Sequence, residues 1–286
     1  MLKSLFFITR PGNVLIASAS VWLGAWVSGA KLTWDGLFLD GIILGLLAAA
    51  GNIHNDIVDL PIDRINRPNR PIPSRQVELW AACFTLIGIL IVSLFLLLFR
   101  SPPQWIFSGA IISILYLYNV YLKGMPLVGN LAVSALCASA LWMPALDLSA
   151  WTDISTPDRL IPLVFFSFLF TFARELIKDI EDIEGDRIVH HRTFPLLFGI
   201  SISRLLAIVI ISISALTLFW PWLGGTYPGT FVLASLALVY PFLLLSAWHM
   251  RNSSQNWHSA QKQLKYAMIG GISASVLVFR VVPLVF

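Results

Sequence analysis

Polar and apolar positions along this chain are sorted into long blocks, with no short alternation that would suggest strands. Residues 79–99, 101–122 and 124–146 contain no Asp, Glu, Lys or Arg, and Arg100 and Lys123 stand between these runs. Residues 205–250 lack those four types for 46 positions, broken near the middle by Pro221, Gly224, Gly225 and Pro228. That length fits two apolar helices and a turn. Only helices and closed barrels satisfy every backbone group in lipid, and apolar runs this long read as helices. The pattern predicts spans over 12–30, 36–54, 79–99, 103–122, 127–146, 160–178, 203–221, 229–248 and 266–285. The expected fold class is an all-α membrane protein with nine transmembrane helices, eight or ten being the alternatives because the second, sixth and ninth spans carry charges near their ends, in a single domain over residues 1–286. The first run has no small-residue cleavage pattern after it and reads as a span, not a signal peptide.

Composition supports the same class. The chain is 57% apolar and 12% charged, with a mean hydropathy of +0.80. A soluble domain of 286 residues would need a polar surface that these residues do not supply. Charge placement gives an orientation. With the N-terminus inside, the inner segments hold Lys3, Arg10, Arg64, Arg67, Arg70, Arg75, Lys123, Arg174, Lys178, Arg187, Arg192, Arg204, Arg251, Lys262 and Lys265. The outer segments hold only Lys31, Arg100, Arg159 and Arg280. This positive-inside bias predicts a cytoplasmic N-terminus and an outer C-terminus. The net charge of +4 therefore reports topology, and no nucleic-acid partner is expected. Cys83 and Cys137 fall inside predicted spans, make no metal signature and read as packed residues. Trp34, Trp80, Trp105, Trp151, Trp220 and Trp222 lie near span ends, where indole rings anchor at the interface.

Chemistry concentrates in two stretches. Asp56, Asp59 and Asp63 are spaced three and four apart in NIHNDIVDLPIDRINRPNRP. On a helix they share one face, with Asn52 one turn earlier and Asn55 alongside. Pro61 is expected to bend or end that helix. Asp179, Asp182 and Asp186 repeat the spacing in RELIKDIEDIEGDRIVHHRT, with Glu175 one turn before. Glu181 and Glu184 should point elsewhere, and Gly185 should loosen the helix end. Like charges at this spacing repel unless a cation lies among them. Both clusters sit at inner span ends and can face one another across a bundle. Their oxygen donors suit a hard divalent ion shared with a phosphate-bearing ligand. Arg64, Arg67, Arg70, Lys178, Arg187 and Arg192 could take further phosphate charge.

The pairing of motifs resembles the UbiA family of intramembrane prenyltransferases. Asn55-Asp56-x-x-Asp59-x-x-x-Asp63, followed by Asn66-Arg67-Pro68-x-Arg70-Pro71, is similar to its first signature. Asp179-Ile180-Glu181-Asp182-x-x-x-Asp186-Arg187 is similar to its second. The resemblance implies a nine-helix UbiA-type bundle around a central cavity. It implies two magnesium sites, Asn55, Asp56, Asp59 and Asp63 in one and Asp179, Asp182 and Asp186 in the other. The bound ions would grip the diphosphate of a polyprenyl donor, and the second-motif aspartates would help the acceptor lose a proton. Asp59, Asp182 and Lys123 are the catalytic candidates. Tyr118-Asn-Val-Tyr121-Leu-Lys123 resembles the family's cytosolic loop that positions phosphate or acceptor. Asn52, Asn55, Arg64, Arg67, Arg70, Tyr118, Tyr121, Lys123, Lys178 and Arg187 are then substrate-binding candidates. Asn130, in the following helix, needs a polar partner.

The run from Ile62 to Ser74 and the stretch from Arg174 to Arg187 are similar to one branch of that family. That branch joins geranylgeranyl diphosphate to the hydroxyl of geranylgeranylglyceryl phosphate, forming an ether. His190-His191-Arg192-Thr193-Phe194 departs from the branch pattern, so an aromatic acceptor in quinone-type synthesis stands as the alternative. The expected partners are a polyprenyl diphosphate, a lipid or aromatic acceptor, and membrane lipids. A transporter is a weaker rival, because the acids gather at one face instead of along a path.

Overall fold

The computed structural model describes residues 2–28, 34–146, 157–251 and 256–281. Within them every regular element is helical. The chain opens with a short α1 (Leu2–Ile8), followed by α2 (Pro11–Ser28), α3 (Trp34–Val58) and a short α4 (Leu60–Asn66). Then come α5 (Leu79–Leu97), α6 (Pro102–Leu117), α7 (Val128–Ser139) and α8 (Leu160–Glu181). The chain continues through α9 (Ile183–Ile188), α10 (Phe194–Phe198), α11 (Ile200–Thr217), α12 (Trp220–Leu223), α13 (Gly229–Leu238), α14 (Tyr240–Arg251) and α15 (Trp257–Val281). A π-helical turn, Tyr118–Leu122, extends α6, and a 3-10 segment, Ala140–Leu146, extends α7.

The expectation of nine transmembrane helices is corrected here. Among the described residues, six helical segments are long and apolar enough to cross a bilayer. They are Trp34–Val58, Leu79–Leu97, Pro102–Leu122, Val128–Leu146, Leu160–Glu181 and Ile200–Leu223. Counting α13 and α14 as one broken span, bent by 41°, makes seven. The two segments that fall short are diluted by polar residues. α2 begins Pro11-Gly12-Asn13, and the first half of α15 carries Lys262 and Lys265 among glutamines and a histidine. Lys31, Trp151 and the outer ends of the first and last expected spans lie outside the described residues.

The bundle has a buried helix near its middle. α8 packs against α7, α11 and α15. Phe166, Phe170, Leu176 and Ile177 on it are buried in the largest apolar cluster. α3 packs between α2 and α5. Such contacts depend on small residues, because lipid gives helices no apolar driving force to associate. A Cβ on Gly24 of α2 would lie 2.1 Å from the Leu141 carbonyl oxygen, so only glycine allows that contact. Other apolar side chains face outward: Trp34, Trp80, Trp105, Trp220 and Trp222 are all exposed, as interfacial anchors should be.

One polar network lies far from the acidic motifs. Asp40 of α3 is fully buried and accepts from Arg100 Nε at 2.8 Å, Arg100 Nη2 at 2.9 Å and Gln104 Nε2 at 3.1 Å. Asp40 stands about 22 Å along α3 from Asn55, at 1.5 Å per residue. The paired, bidentate geometry is what makes a charge tolerable at that depth.

Candidate active site

The first acidic motif lies where α3 gives way to α4. Pro61 stands in the first turn of α4 and ends α3 at Val58, as its ring requires. The break does not rotate the motif. Asp59 N–H donates to Asn55 O at 2.8 Å and Asp63 N–H to Asp59 O at 2.8 Å, so helical spacing continues through it. Asn55, Asp56, Asp59 and Asp63 consequently remain together and are all buried.

The second motif is built the same way. α8 stops at Glu181, Asp182 caps α9, and Asp186 N–H donates to Asp182 O at 3.1 Å. Asp179 accepts from Asn130 Nδ2 at 2.8 Å, the polar partner that asparagine needed. Asp186 is buried and meets His191 Nδ1 at 3.2 Å. Glu181 accepts from Gln261 and lies 3.5 Å from His258, but it also stands 4.0 Å from Arg67 at the cluster's edge.

The two motifs meet. Asn66 Nδ2 donates to the Asp182 carbonyl at 3.2 Å, and Arg67 forks to both Asp182 carboxylate oxygens at 2.9 and 3.2 Å. α4 packs directly on α9. Gly185 permits this, since a Cβ there would lie 2.4 Å from Asn66 Nδ2 and 2.7 Å from Ile62 Cγ2. Its role is close approach, not the loosened helix end that the sequence suggested.

Each first-motif carboxylate has a cation against it. Arg10 bonds Asp56, and Arg70 reaches Asp63 at 2.5 Å and Asp56 at 3.4 Å. Lys123, which follows the π turn, bonds Asp59. Burial pushes the Asp59 carboxyl up, but the Lys123 ammonium, helped by Lys178 and Arg10, brings it below its usual value. At Asp63 burial wins over Arg70, with Asp59 and Asp56 adding repulsion, and the carboxyl is held above its usual value. Burial likewise lowers the Lys123 ammonium despite the neighbouring Asp59.

The donors available to a metal are carboxylate and amide oxygens, the set that hard cations take. Among the described residues no three His, Cys, Asp or Glu side chains converge as a ready-made cage. The set therefore fits an ion that uses one or two carboxylates and fills its shell with ligand oxygens, as magnesium does with phosphates.

Behind the motifs lies a cavity of about 280 Å³. Its polar end is formed by Arg10, Asn52, Asn55, Tyr118, Asn119 and Lys178. Most of the rest is apolar, including Leu23, Leu47, Leu141, Phe166, Phe170 and Met268, but Asn13, Arg174, Glu175 and Lys265 also line it. Asn52 also donates to Thr9 O at 2.9 Å, and Lys178 lies 3.5 Å from Glu175. Tyr121 is 60% exposed and borders a separate pocket with Lys123, His190 and His191. Arg64 and Arg187 are exposed and make no ion pair among the described residues, so they lie outside the cluster. Cys137, expected to be packed, is exposed to the cavity, and Cys83 is half-buried.

Two residues of the cluster were not singled out by sequence. Arg10 had read as a topology charge, yet it sits at φ +53° between α1 and α2 with Nη2 3.3 Å from Asn55 Oδ1. A positive φ on a non-glycine residue is uncommon and gathers at functional sites. Asn119 is buried, accepts from Asn55 Nδ2 at 3.2 Å, and contacts Gly51 O and His54 Nδ1. Its only sequence signal was its place between Tyr118 and Lys123.

Comparison with known proteins gives the same picture at chain scale. Residues 16–269 match the profile of the UbiA prenyltransferase family. The chain is 32% identical over 285 residues to a digeranylgeranylglyceryl phosphate synthase of Methanoculleus marisnigri, covering 97% of each. It superposes on a solved structure of a digeranylgeranylglyceryl phosphate synthase in membranes with a TM-score of 0.70 at 25% identity, covering 98% of this chain and 99% of that one. It also shares its fold with a UbiA homolog from Archaeoglobus fulgidus bound to DMAPP and Mg2+. There the TM-score is 0.69 at 15% identity, over 98% of this chain and 100% of that one.

Proposed function

The chain belongs to the UbiA prenyltransferase family, and from that premise we propose that it joins geranylgeranyl diphosphate to the free hydroxyl of geranylgeranylglyceryl phosphate. The product is an ether lipid. One observation carries the reading: two acidic motifs, linked through Asn66 and Arg67, meet beside a largely apolar cavity that Asn55 of the first motif and Lys178, next to Asp179 of the second, help to line. Polar chemistry for a diphosphate and dry space for isoprenoid carbon thus adjoin. The similarity to digeranylgeranylglyceryl phosphate synthases supports this acceptor.

In this reaction the allylic C–O bond of the donor breaks and its electron pair leaves on diphosphate. The acceptor oxygen forms a new bond to that carbon and gives up its proton. Asn55, Asp56, Asp59 and Asp63 would hold one magnesium, and Asp179, Asp182 and Asp186 another. When bound, the metal offsets negative charge on the departing diphosphate. Lys123, Arg67 and Arg70 donate to the same oxygens, exchanging their carboxylate partners for phosphate. The second-motif carboxylates, Asp182 among them, take the acceptor's proton. The apolar walls keep water from the developing allylic cation, and the Phe166 and Phe170 rings face it with π density. On the positive-inside pattern this end of the bundle lies on the cytoplasmic side.

Transfer should stop when EDTA removes magnesium and return when magnesium is restored. Asp59→Asn and Asp182→Asn should each lower kcat by about 10²–10³-fold, the range for removing one preorganised electrostatic group. Wild-type rates in either variant, or full activity in EDTA, would remove both residues and the metal from the mechanism.

A further inference from the structure

Two further cations, Arg174 and Lys265, line the cavity beside the acidic motifs and pair with none of the motif aspartates. Arg174 of α8, Lys265 of α15 and Asn13 of α2 all face it, with Arg10 at the edge nearest the first motif. Lys265 Nζ donates to Asn13 Oδ1 at 3.0 Å. Among the described residues it has no carboxylate partner, and its charged neighbours are Arg174 and Arg10. Arg174 pairs with Glu175 at 2.8 Å, but Lys178 shares that carboxylate at 3.5 Å. One carboxylate therefore serves two cations while Lys265 has none. Positive-inside placement does not explain this, because the groups come from three separate helices and converge on an interior cavity. Like charges held in an apolar enclosure are costly unless an anion joins them.

We infer that Arg174 and Lys265, with Asn13 and the edge of Arg10, form a second anion subsite that takes the phosphomonoester of the acceptor lipid. The assignment rests on the function proposed above. Donor diphosphate fits this subsite less well, since its oxygens call for carboxylates to share a metal. Glu175, the carboxylate beside this subsite, is already engaged by Arg174 and Lys178. Direct ammonium and guanidinium contacts suit a phosphomonoester without metal. The adjoining apolar wall gives the acceptor's chain a place beside the donor's.

The test uses the full chain in lipid nanodiscs. Lys265→Gln and Arg174→Gln should raise KM for geranylgeranylglyceryl phosphate about tenfold or more, the loss of one charged hydrogen bond. Donor KM should not move. Preference over the dephosphorylated acceptor, geranylgeranylglycerol, should fall, and Lys265→Arg should recover most of it. Independently of turnover, the phosphate lipid should raise the melting temperature of the wild type in EDTA more than that of Lys265→Gln. If wild type forms the ether but acceptor KM and EDTA binding ignore both substitutions, the subsite is wrong and the proposed function stands. A rise confined to donor KM assigns these cations to diphosphate and overturns the inference. If no ether forms yet the phosphate lipid binds in a Lys265-dependent manner, the cations do hold a phosphomonoester but its assignment to the acceptor is overturned together with the proposed function.

Discussion

At the scale of single residues, Lys123 and Asn119 show how the first motif is held. A π turn inserts one extra residue into the end of α6, with Lys123 N–H donating to Tyr118 O at 3.0 Å. Turns of this kind gather at functional sites because they re-aim the side chains after them. Here the re-aimed side chain is Lys123, which meets Asp59, while Asn119 from the same turn braces Asn55. Asn119 reaches no carboxylate of the motif, so its role is positioning. Asn119→Ala should weaken the apparent magnesium affinity of the reaction by about 10–100-fold, the usual cost of losing a group that orients a metal ligand. A magnesium titration of initial rates measures this. An unchanged titration curve would reduce Asn119 to a packing role.

At the scale of elements, the site depends on two short helices that could not stay where they are with bulkier residues between them. Gly185 of α9 abuts Asn66 and Ile62 of α4. Gly185→Ala should force α4 and α9 apart and misplace Asp182 relative to Asp59. A displacement of about 1 Å can cost about a hundredfold in rate, so kcat should fall far more than the melting temperature. Equal rates in the variant would show that the two motifs need not be in register. Much of this was legible beforehand. The three-and-four spacing of the aspartates survives because the backbone bonds continue through Asp59 and Asp182, and Pro61 marked the first break. Gly185 misled, because a glycine near a helix end reads as flexibility, and only a partner distant in sequence turns it into a contact surface. Arg10 and the π turn were invisible for a related reason. Arg10 gains its meaning from Asp56, and nothing local distinguishes a π turn from the helix before it.

At the scale of the whole molecule, a membrane bundle separates the two solvents this chemistry needs. Asn55 and Lys178 bring the acidic motifs to the edge of the cavity, while Phe166, Phe170 and Leu141 line its apolar interior. Hydropathy placed the helices well but overcounted those apolar enough to span by composition. α15 carries Lys265 because one face of it lines the cavity, and α2 opens with Asn13 for the same reason. Polar residues that serve an interior cavity lower a helix's mean hydropathy just as solvent-facing ones do. The acceptor remains the point on which the proposed function turns most sharply. The most direct measurement offers purified protein, with magnesium and labelled geranylgeranyl diphosphate, a choice of geranylgeranylglyceryl phosphate, 4-hydroxybenzoate, homogentisate and a naphthoate. Label should pass to geranylgeranylglyceryl phosphate as an ether, and this transfer should be lost in Asp59→Asn and Asp182→Asn. Label passing only to an aromatic acceptor would contradict the ether-forming assignment.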